Sequence, residues 1–212
     1  MQLSPIPDAW VLDDRPILPP IGMELTPIQA AGSTPVCLLA IDPGGVTGWS
    51  IVTTTIGRIM DPTLQAAEVP LQWFHGQIDC RAKDKKETLW REAEAEGVAR
   101  MEQLYERCPH ATGVVIEDFL IRRFDKSRPF LSPVRLTAAL DQLMFDRGVW
   151  TDRQMPSDAM ITITDDRLKA WDFYVADGLG HARDADRHML LFIRRLRSKA
   201  SLRSKVFPLL KL

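Results

Sequence analysis

Apolar residues fall along this chain in two rhythms: short unbroken runs, and longer stretches where they recur every three or four positions. Val36–Ile41 is a continuous apolar run ending on Asp42 and the turn residues Pro43, Gly44 and Gly45, which predicts a buried strand entering a tight turn. Trp49–Thr55 is aromatic and β-branched, and predicts a second strand joined to the first as a hairpin. Leu71–Ile78 reads as a third strand. From Asp84 to Cys108 the period becomes helical, with Leu89, Ala93, Val98, Met101, Leu104 and Tyr105 on the apolar side. Gly113–Glu117 is a short buried strand ending on a carboxylate. Ser132 and Pro133 supply a cap and a first-turn proline for a helix to Arg147, with Leu136, Ala139, Leu140 and Leu143 inward and Gly148 as its stop. Val149–Gln154 reads as a fifth strand, Leu168–Val175 as a short helix and His181–Arg197 as the last helix. The order predicts an α/β fold. Three strands in series, then alternating α and β, make a mixed five-stranded sheet with helices on both faces.

Seven of the fifteen prolines lie in residues 1–35, so this stretch is expected to be an extended arm, since proline fixes φ and removes amide donors. The organisation read from the sequence is an arm over 1–35, an α/β domain over 36–198 and a basic tail over 199–212. Composition adds that the chain is 45% hydrophobic and 26% charged, a globular balance, with no apolar run near the ~20 residues of a membrane helix. The N-terminus shows no basic-then-apolar secretory pattern. Three dispersed cysteines (Cys37, Cys80, Cys108) without metal-ligand spacing suggest reduced thiols, hence a cytoplasmic setting. The net charge of −1 conceals a split: Arg187–Leu212 holds eight basic residues and no acidic one, while the first 186 residues carry 19 basic against 28 acidic. A sign split of this kind suits a polyanionic partner, although a solvated helix face gives the same pattern.

Two carboxylates carry the chemistry. Asp42 and Glu117 each close a predicted buried strand. Buried carboxylates are costly unless paired, hydrogen-bonded or bound to a cation, and two that converge repel until a divalent ion joins them. A third polar cluster is Gly180–His188, where His181, Asp184 and His188 follow i, i+3, i+7 spacing on one helical face and Asp186 points elsewhere. The alternative for this cluster is a polar helix start in which Asp184 serves the N-terminal dipole.

These motifs resemble those of the RuvC-type Holliday-junction resolvases of the ribonuclease H-like superfamily. Leu39-Ala-Ile-Asp42-Pro-Gly with Gly48 is similar to their first motif, Val115-Ile-Glu117 to the second and His181-Ala-Arg-Asp184-Ala to the last; the stretch from Glu117 to Asp184 also resembles the RuvC-like nucleases of bacteriophages. The resemblance covers residues 36–197. It implies an endonuclease that cuts branched DNA as a homodimer, in the host cytoplasm if phage-encoded. Asp42, Glu117, His181 and Asp184 would then be the catalytic residues and the ligands of one or two Mg²⁺ or Mn²⁺ ions, with no nucleotide cofactor. Beside Glu117, Phe119, Arg122, Arg123, Phe124, Lys126 and Arg128 interleave cations and aromatics, a pattern suited to phosphates and unpaired bases but also to a surface loop whose phenylalanines pack inward. Arg194, Arg195 and Arg197 are further candidate DNA contacts. Relatives often carry a lysine after the fifth strand; Met155–Met160 has none, and Lys169 is the nearest. The expected dimer surface is the Ser132–Arg147 helix through Leu143 and Met144. Two other readings stay open: a phosphotransferase of the actin-like ATPase and sugar-kinase type, whose first loop also has Asp-x-Gly, and a non-catalytic DNA-binding module on a nuclease-like fold.

Overall fold

The computed structural model describes residues 3–4, 22–24, 34–82, 87–108, 111–119, 128–175 and 179–208. The strands are β1 (Leu3–Ser4), β2 (Gly22–Glu24), β3 (Pro35–Asp42), β4 (Val46–Thr55), β5 (Gln72–Asp79), β6 (Ala111–Glu117) and β7 (Thr151–Gln154). The helices are α1 (Ile56–Met60), α2 (Glu87–Glu106), α3 (Arg128–Asp146), α4 (Pro156–Thr162), α5 (Asp165–Ala170), α6 (Gly180–Ser198) and α7 (Ala200–Val206), with a 3-10 turn at Ala66–Glu68. The five expected strands lie in the order β5-β4-β3-β6-β7, and the proline-rich arm adds β2 and then β1 on the β5 side. The β3–β4 and β4–β5 pairs are antiparallel, β3–β6 and β6–β7 parallel.

β3 is apolar at every position from Val36 to Ile41 because both faces of the sheet are covered. Val36, Leu38 and Ala40 pack under α6 with Val115 of β6, Met189, Phe192 and Ile193 of α6 and Phe207. Leu39 and Ile41 face the other way, with Val114, Ile116, Met101 of α2 and Leu136 of α3. Period-two alternation then carries Asp42, two residues beyond Ala40, and Glu117, two beyond Val115, to the α6 side. The parallel register pairs Ile41 with Ile116, so the two carboxylates follow on neighbouring strands at the same end.

α6 is held close to the sheet by three residues of β5 that alternate onto its side. Trp73 Nε1 donates to Ser50 Oγ and Asp186 Oδ1, both at 3.0 Å, and His75 Nδ1 lies 2.5 Å from Asp186 Oδ2. His75 and Asp186 are fully buried. Removing that carboxylate would strand buried donors at about 1–3 kcal/mol each. Gln77 Oε1 accepts from the backbone amides of His181 (2.9 Å) and Ala182 (3.4 Å), satisfying first-turn donors that Leu179 at the N-cap does not. On β4, Gly48 leaves the gap into which α6 settles, since a β-carbon there would stand 1.9 Å from the His181 carbonyl oxygen.

Several expectations are corrected. α3 starts at Arg128, a turn before Ser132, and its buried row runs Ser132, Leu136, Leu140, Met144 at i, i+4 spacing; Ala139 is exposed and Leu143 half-buried. Met144 is fully buried in the core and is not free to form a dimer surface. The short helix runs Asp165–Ala170 instead of Leu168–Val175: Thr164 Oγ1 accepts from Arg167 N at the start, and Asp172 turns left-handed (φ 59°) just past the end. α4 opens on Pro156, a first-turn proline. The region read as a tail continues the domain through α7, where Leu202, Val206 and Phe207 are buried against the sheet and Arg203 donates to the carbonyls of Leu196 and Arg197.

Gly48→Ala should therefore lower stability by about 1–3 kcal/mol in urea unfolding. Gly180→Ala, whose β-carbon would meet nothing within 4 Å, is the control and should stay within about 0.5 kcal/mol of the wild type or slightly above it.

Candidate metal centre

The N-terminal turn of α6 delivers His181 and Asp184 to the strand end where Asp42 sits. One ligand atom from each of Asp42, His181 and Asp184 lies within 4.8 Å of the others. His181 Nδ1 stands 2.9 Å from Asp42 Oδ2. They line an open cleft of about 200 Å³ together with Glu117, His188, Arg187, Pro156, Ala159 and Met160.

The charges of this cleft could hold a cation. Burial raises the pKa of the Asp42 carboxyl, the His181 hydrogen bond opposes that rise, and the charges of Glu117 and Asp184 add to it. The hydrogen bond to Asp42 raises the pKa of the half-exposed His181, with burial opposing. Three carboxylates around one small cleft repel unless positive charge sits between them. The donor set, carboxylate oxygens plus one imidazole, fits Mg²⁺ or Mn²⁺.

All four predicted ligand residues line this cleft, although Glu117 reaches it differently. Its Oε2 lies 2.6 Å from His188 Nε2, and Asp42, His181 and Asp184 form the tight group. Asp184 bonds to Arg187, whose other branch bonds to Asp165. Asp186 points away from this group: its carboxylate is fully buried on Trp73 and His75, and Arg187 is given to Asp184.

Two cleft residues were not assigned from the sequence. His188 stood in the i, i+3, i+7 stripe with His181 and Asp184, so the spacing marked its face, but its partner Glu117 is 71 residues away in sequence. Arg187 is the buried cation of the cleft, which Met160 also lines. Lys169 is instead exposed on α5, its Nζ 4.8 Å from the centre of the Tyr174 ring, on which Arg183 also stacks.

The proposed DNA contacts are placed unevenly. Arg122, Arg123, Phe124 and Lys126 lie outside the described residues; Phe119 directly follows the end of β6 and is half-buried, and Arg128 opens α3. Arg194 is exposed, ten residues beyond Asp184 and so about 15 Å further along the helix. Arg195 bridges to Asp158 (3.0 Å) and Asp152 (3.5 Å), and Arg197 donates to the Asp61 carbonyl at 2.9 Å. No helix among the described residues is long and apolar enough to cross a membrane.

No protein-family model matches the sequence, and a sequence search of curated proteins finds no match. Solved structures do match. The Thermus thermophilus RuvC structure superposes with a TM-score of 0.55 at 15% identity, over 76% of this chain and 96% of that one. T. thermophilus RuvC in complex with Holliday junction substrate gives 0.53 at 14%, over 77% and 96%. At such low identity the likeness is one of fold. The strand order, the helices on both faces and these neighbours together establish a RuvC-like, ribonuclease H-like fold.

Proposed function

We propose that this chain is a divalent-metal-dependent endonuclease that hydrolyses phosphodiesters in branched DNA. One observation carries the reading: Asp42, His181 and Asp184, brought from opposite ends of the sequence, present ligand atoms within 4.8 Å of one another at the sheet edge of a RuvC-like fold. Asp42, Glu117, His181 and Asp184 would hold one or two Mg²⁺ or Mn²⁺ ions. When bound, such an ion lowers the pKa of water and neutralises charge on phosphate. Branched DNA as substrate is supported by the neighbour solved with a Holliday junction.

The residues divide the remaining work. Asp42 and Asp184 supply anionic oxygens from a strand end and a helix start, two rigid elements. His181, half-exposed at the mouth, is placed to bind the ion or to orient water. Arg187 fixes Asp184 from the side and keeps positive charge in the cleft. Met160, exposed on α4, gives the cleft an apolar lip. A phosphotransferase reading has no comparable support, because the convergent groups here are carboxylates and imidazole. Two copies related by a two-fold axis would match the symmetry of a four-way junction.

The test is cleavage of labelled junction, flap, fork, duplex and single-stranded DNA with Mg²⁺ or Mn²⁺. We expect metal-dependent cutting of a branched substrate, lowered about 100-fold or more by Asp42→Asn, Glu117→Gln or Asp184→Asn while DNA binding persists. His181→Ala should weaken cutting or change the preferred metal, and Asp186→Asn should leave cutting in place in whatever fraction folds. Full activity in folded Asp42→Asn and Asp184→Asn proteins would overturn the proposal. Sedimentation on junction DNA should find two chains per junction, and a single chain would sink the dimer.

The basic C-terminal region is proposed to bind phosphates of the DNA backbone. Deleting it would remove Leu202, Val206 and Phe207 from the core, so charge-neutralising changes are the informative ones. Arg194→Gln with Lys199→Gln should flatten the dependence of log K on log salt by about 0.9 for each phosphate that is no longer neutralised. An unchanged slope would assign those charges to solvent.

A further inference from the structure

The stripe of α6 that carries His181 and Asp184 into the cleft carries a second histidine two turns from the first, and the two imidazoles are used in opposite ways. The His181 side chain is 49% exposed and has one ring nitrogen on Asp42. His188 is 1% exposed, and both of its ring nitrogens face protein oxygens: Nε2 lies 2.6 Å from Glu117 Oε2 and Nδ1 lies 3.1 Å from Gln154 Oε1. Gln154 is itself 1% exposed and pairs with Glu117 in the β6–β7 register, where its carbonyl accepts from Asp118 N at 2.8 Å. The last residues of two parallel strands and one helix side chain thus form a closed chain, Gln154–His188–Glu117.

We propose that His188, backed by Gln154, is a positioning residue for Glu117: it fixes the carboxylate so that its other oxygen is held toward the cleft for a divalent cation. This rests on reading Asp42, Glu117, His181 and Asp184 as the metal centre. Packing alone does not account for an imidazole at this place, since an apolar side chain of similar size would fill the volume without two polar atoms to satisfy. Nor is His188 placed to be a ligand, because both nitrogens are engaged and buried. What the pair does accomplish is to immobilise a long, flexible side chain. Glutamate brings three rotatable bonds to a site where Asp42 has two, and a hydrogen bond to one oxygen leaves the other with a defined direction. Outer partners of this kind tune metal affinity by orienting the ligand.

The experiment is Mn²⁺ titration of the DNA-free protein, read by the electron paramagnetic resonance of free Mn²⁺, with folding checked by circular dichroism. His188→Leu should weaken Mn²⁺ binding about 10- to 100-fold, and the metal concentration for half-maximal cleavage should rise by a similar factor. His188→Gln, which keeps an N–H for Glu117, should recover most of the loss. Gln154→Leu should shift affinity in the same direction by less. A folded His188→Leu protein with wild-type Mn²⁺ affinity, or a Gln variant no better than Leu, would overturn the proposal. If the Leu variant does not fold, Gln154→Leu decides: a wild-type affinity there overturns it. Wild-type protein that binds no Mn²⁺ at all would instead remove the metal centre on which the proposal rests.

Discussion

The distance between α6 and the sheet is set where the His181 carbonyl occupies space that a β-carbon on Gly48 would fill. A closer approach than ordinary side chains permit lets the first turn of the helix reach the ends of β3 and β6. The sheet grips that helix with Trp73, His75 and Gln77, three alternate residues of one strand, which meet a buried carboxylate and the free amides of the helix start. The positions of His181 and Asp184 against Asp42 depend on that approach. Moving α6 outward would separate His181 and Asp184 from Asp42 and would also open the core that Met189, Phe192 and Ile193 share with β3.

The same approach concentrates charge. Asp42 is buried beneath His181, and Asp184 is steadied by Arg187, which also binds Asp165. The cleft holds three acids, two histidines and one arginine. Local pairing lowers the cost of each buried group without cancelling the mutual repulsion at Asp42, which is the condition under which a cation binds. Apolar groups close the cleft on one side, through Ala159 and Met160 of α4, a helix that the sequence pattern did not announce.

Much of this was legible beforehand. The runs Val36–Ile41 and Gly113–Glu117 identified β3 and β6 and put an acid at the end of each, because strands buried on both faces read as unbroken apolar stretches. Period two could also have placed Asp42 and Glu117 on one face. The His181–Asp184–His188 stripe followed from helical spacing. Thr164 followed by Asp165 and Asp166 is a helix start, whereas Pro133 lies inside α3 and does not open it.

The sequence alone determined the five central strands, the long helices, their order and the acids at the strand ends, since those depend on local periods and on backbone chemistry within a few residues. Tertiary structure decided the partners. Asp184 and Asp186 are two residues apart and chemically alike, yet one opens to the cleft and the other is sealed on Trp73 and His75, more than 100 positions away. His188 found Glu117 across 71 residues, and Arg195 and Arg197, candidate DNA contacts in the sequence, found Asp158 and the Asp61 carbonyl. Such pairings depend on strand register and on how near one helix lies to one sheet, and neither is encoded in any short window of the chain.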